Sequence, residues 1–359
     1  MVFVSFEMAL AANSAMPPRA VAPFLLVGLL VALGTSTAFA RESTCQSPET
    51  VRNIPTSDYF RAGELRLHYL NFGGRGQPVL LLAGLGNSAW IWSDFAPKLA
   101  CKGFHVMALT RRGHGDSDAP AKGYSLEDMV TDIVAFMDQQ SIPKAIFVGH
   151  SIAGSEMTRL ASVYPERVIA LAYIEAAYDR QEQLKTNSHL PQVLPLPSDK
   201  DRESLDSFFA FQRKAQPEID RAWGPALKRD FQATFETDSS GKVVPRHPEA
   251  NLGELIESAS SGPPDYSVIR APALAIYAKN SGFELPADVP LAARQQMRQF
   301  DHDYGLPWVR HSEAEFREGM KKGKAVELKG GHLLFLESPD AVIGLITDFM
   351  LSLSLRVHQ

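Results

Sequence analysis

Along the chain, short apolar runs of strand length alternate with segments whose apolar residues recur at helical spacing. Leu65-Arg66-Leu67-His68-Tyr69-Leu70 alternates with period two, as a strand with one buried face does. Pro78 to Ala83 and Phe104 to Leu109 are continuous apolar runs, as expected of central strands covered on both faces. Ala145 to Val148, Val168 to Ile174, Ala273 to Ala278 and Ala325 to Leu328 continue the series. Helical pattern fills the gaps: Ser88 to Ala100, a capped start at Ser125-Leu126-Glu127-Asp128 running to about Gln140, and a closing helix within Leu333 to Leu353. This alternation predicts an α/β fold, a mostly parallel central sheet with helices on both faces. From Ala176 to about Pro264 the strands fade. Helical stretches such as Leu205 to Ala215 and Ile219 to Phe235 alternate there with Pro/Gly/Ser-rich joints, which predicts a helical cap insertion.

The N-terminus reads differently from the rest. Arg19 precedes an apolar run from Ala20 to Leu33, followed by Ala38-Phe39-Ala40, the layout of a secretory signal peptide cut after Ala40. Residues 1–15 carry Glu7 and no basic residue, whereas Met16-Pro17-Pro18-Arg19 would open a more ordinary signal, so translation is expected to start at Met16. The resulting division is 1–40 signal peptide, 41–56 N-terminal extension, 57–175 first part of the core, 176–264 cap and 265–359 second part of the core. Export makes Cys45 and Cys101, the only two cysteines, a possible disulfide joining the mature N-terminus to the end of the first helix. The net charge of −5, without a dense Lys/Arg cluster, points away from nucleic acid.

The chemistry centres on Gly149-His150-Ser151-Ile152-Ala153, where a strand turns into a helix. Such a turn forces the intervening serine into strained φ/ψ and demands small neighbours at −2 and +2. Ser151 then stands at a helix N-terminus, where backbone N–H groups favour a developing oxyanion. This is the G-x-S-x-G nucleophile elbow with alanine in the last place. Alone, the pentapeptide also suits a structural Gly-Ser turn; the strand before it and the helix after it favour the elbow.

A serine nucleophile needs a base, an acid and an oxyanion hole. Gly330-Gly331-His332 directly follows the last strand and so lies on the sheet edge that carries Ser151, which makes His332 the base. His150, inside the elbow, His114, in a turn, and His302 and His311, in a polar segment, are weaker candidates. Glu175 closes the strand after the nucleophile strand. A carboxylate ending an apolar strand requires a partner, and imidazolium is a fitting one. Lys279-Asn280-Ser281 follows the next strand without an acid, leaving Glu284 and Asp288 as alternatives to Glu175. Oxyanion donors are expected at the backbone N–H of Ile152 and of Leu85, whose neighbours Gly84 and Gly86 allow close approach.

With these residues, together with Arg112-Gly113-His114-Gly115-Asp116-Ser117 and Gly331-His332-Leu333-Leu334-Phe335, the chain resembles the α/β-hydrolase fold superfamily over about residues 57 to 353. Two departures stand out. Ala83-Gly84 replaces the family's usual His-Gly, and the usual Asp after the strand ending at Ala278 is absent. Tyr173-Ile174-Glu175-Ala176 resembles the branch, including some haloalkane dehalogenases, that places its acid after the earlier strand. Those enzymes and epoxide hydrolases use an Asp nucleophile where Ser151 stands here, so the resemblance implies acyl rather than alkyl transfer. The expectation is an exported, periplasmic or secreted serine hydrolase of a small ester. It would need neither cofactor nor metal, and would keep no stable membrane association once the signal is removed. Lactone, amide (including aminopeptidase-like) and carbon–carbon bond hydrolysis remain open on the same triad, as does a non-catalytic binding protein. Neither the natural substrate nor the oligomeric state follows from the sequence.

Overall fold

The structure, a computed structural model, describes Cys45, residues 50–279 and residues 284–356. The expected signal segment and its cleavage site lie outside the described residues, as do Asn280 and Ser281. In chain order the core opens with strands β1 (Val51–Ala62), β2 (Leu65–Gly73) and β3 (Pro78–Leu82), a 3₁₀ turn (Ala89–Trp92) and helix α1 (Ala96–Ala100). It continues with β4 (His105–Leu109), α2 (Leu126–Gln139), β5 (Ala145–His150), α3 (Ala153–Val163) and β6 (Val168–Ile174). The insertion holds helices α4 (Arg180–Asn187), α5 (Leu205–Ala215), α6 (Pro217–Arg221) and α7 (Pro225–Thr234), then β7 (Phe235–Thr237), β8 (Val243–Pro245) and α8 (Leu252–Ala259). The chain returns through β9 (Ala273–Ala278), α9 (Leu291–Phe300), α10 (Leu306–Gly319), β10 (Gly323–Leu328), α11 (Leu334–Glu337) and α12 (Pro339–Arg356).

Eight strands form one sheet in the order β1-β2-β4-β3-β5-β6-β9-β10. β2 runs antiparallel to both β1 and β4, and every other pairing is parallel. The period of two along a strand explains why the central runs are apolar throughout. In β3, Val79 and Leu81 enter the core under α1 and α12, whereas Leu80 and Leu82 enter the core under α2, α3 and α10. Because the strands are parallel, the loops after β3, β5, β6, β9 and β10 leave the same edge. In register, Leu82 lies beside Gly149, His150 beside Ile174, and Ala278 beside Leu328.

Four segments differ from the sequence expectation. β1 starts at Val51, inside the stretch assigned as an N-terminal extension. It lies at the sheet edge with most side chains in solvent and is held by backbone pairing, so no apolar alternation marks it. The expected helix from Ser88 to Ala100 is two short pieces, since Pro97 is tolerated only in a first turn. The stretch Ile219 to Phe235 breaks at Gly224-Pro225 for the same reason, giving α6 and α7. The insertion also contains the β7–β8 hairpin, whose turn ends at Gly241 with φ +82°. Cys45 and Cys101 are joined in a disulfide, with Cα atoms 4.5 Å apart.

Candidate active site

At the end of β5 the chain turns through Ser151, whose φ is +55°, and enters α3. The turn works only because its neighbours are small. A methyl group on Gly149 would stand 2.8 Å from Met157 Sδ, and one on Gly154 would overlap the Ala176 carbonyl. Ser151 is largely buried, and its Oγ makes no hydrogen bond among the described residues.

Glu175 follows β6, also at positive φ (+50°), and its carboxylate is buried. Oε1 accepts the Ala278 N–H at 2.5 Å and the Tyr178 hydroxyl at 2.6 Å. That leaves Oε2 to face His332, whose Nδ1 lies 3.3 Å away. Burial disfavours the charged form of each partner, pushing Glu175 up and holding His332 well below its usual value. The His332 loop is anchored from below by His150, whose Nε2 donates to the His332 carbonyl at 2.9 Å, with the two rings 4.5 Å apart. Burial drives His150 down to about 3, so it is a neutral strut.

The loop after β3 lies directly against the elbow. A methyl group on Gly84 would stand 2.9 Å from His150 Nδ1 and 3.3 Å from Ser151 Cβ. Neither the Leu85 nor the Ile152 N–H donates a hydrogen bond among the described residues. Arg111 explains how the loop holds its shape with Ala83 in place of the family's histidine. Its Nη2 and Nη1 donate to the carbonyls of Ala83 (2.8 Å) and Gly84 (3.2 Å), and its Nε pairs with Glu156 of α3 at 2.6 Å. Carbonyls turned toward Arg111 leave the N–H groups of the loop free to point elsewhere.

Two buried acids of the insertion reach down onto these loops. Asp230 on α7 accepts Asn87 Nδ2, Ser88 N–H and Ser88 Oγ, each at 2.7 Å, just beyond the Gly84-Leu85-Gly86 turn. Glu218 on α6 accepts the Leu333 N–H at 2.5 Å, next to His332. Burial pushes each up to about 7. α8 covers the site, with Leu255 and Ala259 packed on Leu85 and Ile152. Beside it opens a mostly apolar cavity of about 890 Å³ whose wall includes Leu85, Phe208, Phe235, Val243, Leu252 and Ile256.

The structure therefore brings Glu175 and His332 into contact, sets Gly84 against Ser151, and places Leu85 and Ile152 in one apolar cluster. It keeps the other candidates apart. Glu284 pairs with Arg221 (2.6 Å) and Asp288 with Lys214 (3.2 Å), both at the surface. His114 is buried against the Arg112 carbonyl, His302 lies beside Asp303, and His311 beside Glu315. Sequence reasoning assigned no site role to Arg111, Glu156, Tyr178, Glu218 and Asp230. In sequence, Glu218 and Asp230 look like the solvated faces of cap helices, and nothing local marks them.

A parallel sheet with one antiparallel edge, a serine elbow and a histidine after the last strand define an α/β hydrolase architecture. The alpha/beta hydrolase fold family matches residues 77–303, and the chain belongs to it. Among curated proteins, the chain is 28% identical over 203 residues to bifunctional epoxide hydrolase 2 of Mus musculus, covering 55% of this chain and 34% of that one. It is 32% identical over 163 residues to the non-heme chloroperoxidase of Streptomyces lividans, covering 44% and 56%. The match thus spans about a third of the mouse protein and little over half of the bacterial one. Among solved structures, E-2-(acetamidomethylene)succinate hydrolase aligns with a TM-score of 0.59 at 19% identity, over 82% of this chain and 99% of that one. A marine microorganism esterase aligns with a TM-score of 0.56 at 19% identity, over 80% and 100%.

Proposed function

We propose that this chain is a serine hydrolase of carboxylic esters with an apolar acyl or alcohol part, acting through Ser151, His332 and Glu175. The observation that carries the reading is the Glu175 carboxylate facing His332 Nδ1 on the sheet edge that carries a strained, unpartnered serine. Held on Nδ1 by Glu175, the imidazole proton leaves Nε2 free as a base. Ser151 Oγ attacks the carbonyl as Nε2 takes its proton. The Leu85 and Ile152 N–H groups hold the tetrahedral oxyanion, and burial makes those dipoles act at low dielectric. Nε2 then gives the proton to the departing alkoxide, and water releases the acid from Ser151 by the same route reversed.

The apolar cavity supports an apolar group on the substrate, because its wall would replace water around hydrocarbon at about 25 cal/mol per Å² buried. The disulfide supports export, since such bonds persist in oxidising compartments. Labelling with a fluorophosphonate tests the nucleophile, and a panel of p-nitrophenyl esters of rising chain length, with a lactone, an aminoacyl amide and an epoxide, tests the substrate. Labelling of wild type but not of Ser151→Ala, with ester turnover rising with chain length, is expected. An unlabelled wild-type protein, or turnover confined to the epoxide, would overturn the reading.

A further inference from the structure

Asp179 stands where the insertion leaves the sheet, as the residue that caps α4. Two contacts pin its backbone to α10: its N–H donates to Ser312 Oγ at 3.1 Å, and its carbonyl accepts Trp308 Nε1 at 2.9 Å. On a helix, residues three, four and seven positions apart share a face, so His311, Ser312 and Glu315 lie on the face that Trp308 presents to Asp179. One ligand atom each of Asp179, His311 and Glu315 lies within 4.8 Å of the other two.

A His–Glu pair at i,i+4 is by itself an ordinary solvated helix face, and here His311 Nε2 lies 3.5 Å from Glu315 Oε1. The third carboxylate sets this cluster apart. Asp179 is only 5% exposed. Its Oδ1 accepts the N–H groups of Gln181 and Glu182, while its Oδ2 accepts no hydrogen bond among the described residues. Glu315 Oε2 likewise has no hydrogen-bond partner. Burial, with the Asp179 charge second, pushes the Glu315 carboxyl above its usual range, and Glu182 and Glu318 add to the negative field. Lys185 of α4 is engaged by Glu182 at 2.9 Å. Two carboxylates, one of them buried, thus lie together, an arrangement that costs free energy unless a cation completes it. A cation can reach them from solvent, since the His311 side chain is 54% exposed and that of Glu315 28%.

We propose that Asp179, His311 and Glu315 bind one divalent cation of the zinc class. An imidazole nitrogen with two carboxylate oxygens suits Zn²⁺ better than Mg²⁺, which prefers oxygen and gives up its waters reluctantly. Three protein ligands leave a fourth position to water. Donors on a tetrahedral ion with bonds of about 2.1 Å lie about 3.4 Å apart, a closure that rotation of the exposed His311 ring can supply. Asp179 opens the insertion and the other two ligands belong to α10, so the ion staples the insertion to the core. None of Ser151, His332 and Glu175 belongs to the cluster.

The test uses the purified, tag-free protein, freed of metal by a chelator that is then removed. It is titrated with Zn²⁺ and with Mg²⁺ by calorimetry at slightly alkaline pH, where imidazole is neutral, and Tm is followed by thermal unfolding. Wild type is expected to bind one Zn²⁺ per chain saturably, with Tm rising as free Zn²⁺ exceeds Kd. Mg²⁺ should bind roughly a hundredfold more weakly or less. His311→Ala and Glu315→Gln, on the accessible side of the cluster, and Asp179→Asn, which keeps an oxygen for the cap, should each weaken Zn²⁺ binding by about tenfold or more. His302→Ala, which removes the exposed His302–Asp303 pair, should leave it unchanged. If Asp179→Asn does not fold, the other two variants decide. No Zn²⁺ binding to wild type, Mg²⁺ binding as tight as that of Zn²⁺, full Zn²⁺ binding by His311→Ala or Glu315→Gln, or its loss in His302→Ala would each overturn the assignment. None of these readouts uses ester turnover, so failure here and failure of the proposed hydrolysis are told apart.

Discussion

Replacing Glu175 by glutamine changes one atom, and the structure dictates where that atom goes. Oε1 accepts two donors, the Ala278 N–H and the Tyr178 hydroxyl, so a side-chain amide keeps its oxygen there. Its NH₂ is then turned toward His332 Nδ1, the group 3.3 Å from Oε2. An amide donor demands an acceptor, so Nδ1 must give up its proton and Nε2 must carry it. A protonated Nε2 cannot take the proton of Ser151. Loss of the correct tautomer in a triad costs about 10⁴ in kcat, about 5 kcal/mol of transition-state stabilisation. Glu175→Gln is therefore expected to lower kcat on a p-nitrophenyl ester by about two to four decades with KM little changed. Glu284→Gln and Asp288→Asn, whose partners Arg221 and Lys214 lie at the surface, should stay within a few-fold of wild type. Steady-state kinetics of the three purified variants decide the matter. A Glu175→Gln protein with more than a tenth of wild-type kcat, alongside a crippled Glu284 or Asp288 variant, would refute the reasoning.

Four further outcomes are expected. Ser151→Ala should lose ester turnover and fluorophosphonate labelling while keeping its Tm within a few degrees, which mass spectrometry and thermal melts check. Reduction of Cys45–Cys101, which closes a loop of sequence separation 56, should destabilise the fold by up to about 4 kcal/mol in the chain-entropy account, read by urea unfolding with and without reductant. Because burial holds His332 below its ordinary value, the neutral base persists to lower pH, and the acid limb of kcat/KM should have its midpoint under pH 6.5; a midpoint at 7 or above in the pH–rate profile would contradict this. Asp230 titrates at about 7 in the folded protein but near 4 unfolded, so between those values the native state holds the extra proton. Its contribution to stability is full below pH 4 and is lost as pH rises through 7, by on the order of 4 kcal/mol, and Asp230→Asn should flatten that decline in denaturant unfolding across pH.

What the sequence determined by itself is the part that rests on local pattern. Continuous apolar runs such as Leu80-Leu81-Leu82 demand cover on both faces, and their alternation with helical segments leaves little choice but a parallel sheet. The small residues around Ser151, set between a strand and a helix, announce a tight strand-to-helix turn, and Gly330-Gly331-His332 and Glu175 lie at strand ends, where parallel topology gathers them on one edge. Tertiary structure alone decided the rest. β1 is held by backbone pairing with exposed side chains, so its sequence carries no signature. The orientation of Glu175 depends on a hydroxyl three residues on and an amide 103 residues away. Arg111 stands in for the missing histidine from 27 residues beyond Gly84, and Asp230 meets Ser88 across 142 residues. An acid on a cap helix reads as solvated until its helix is packed. Burial and long-range partners, not residue type, turn Asp230 and Glu218 into groups with something to hold.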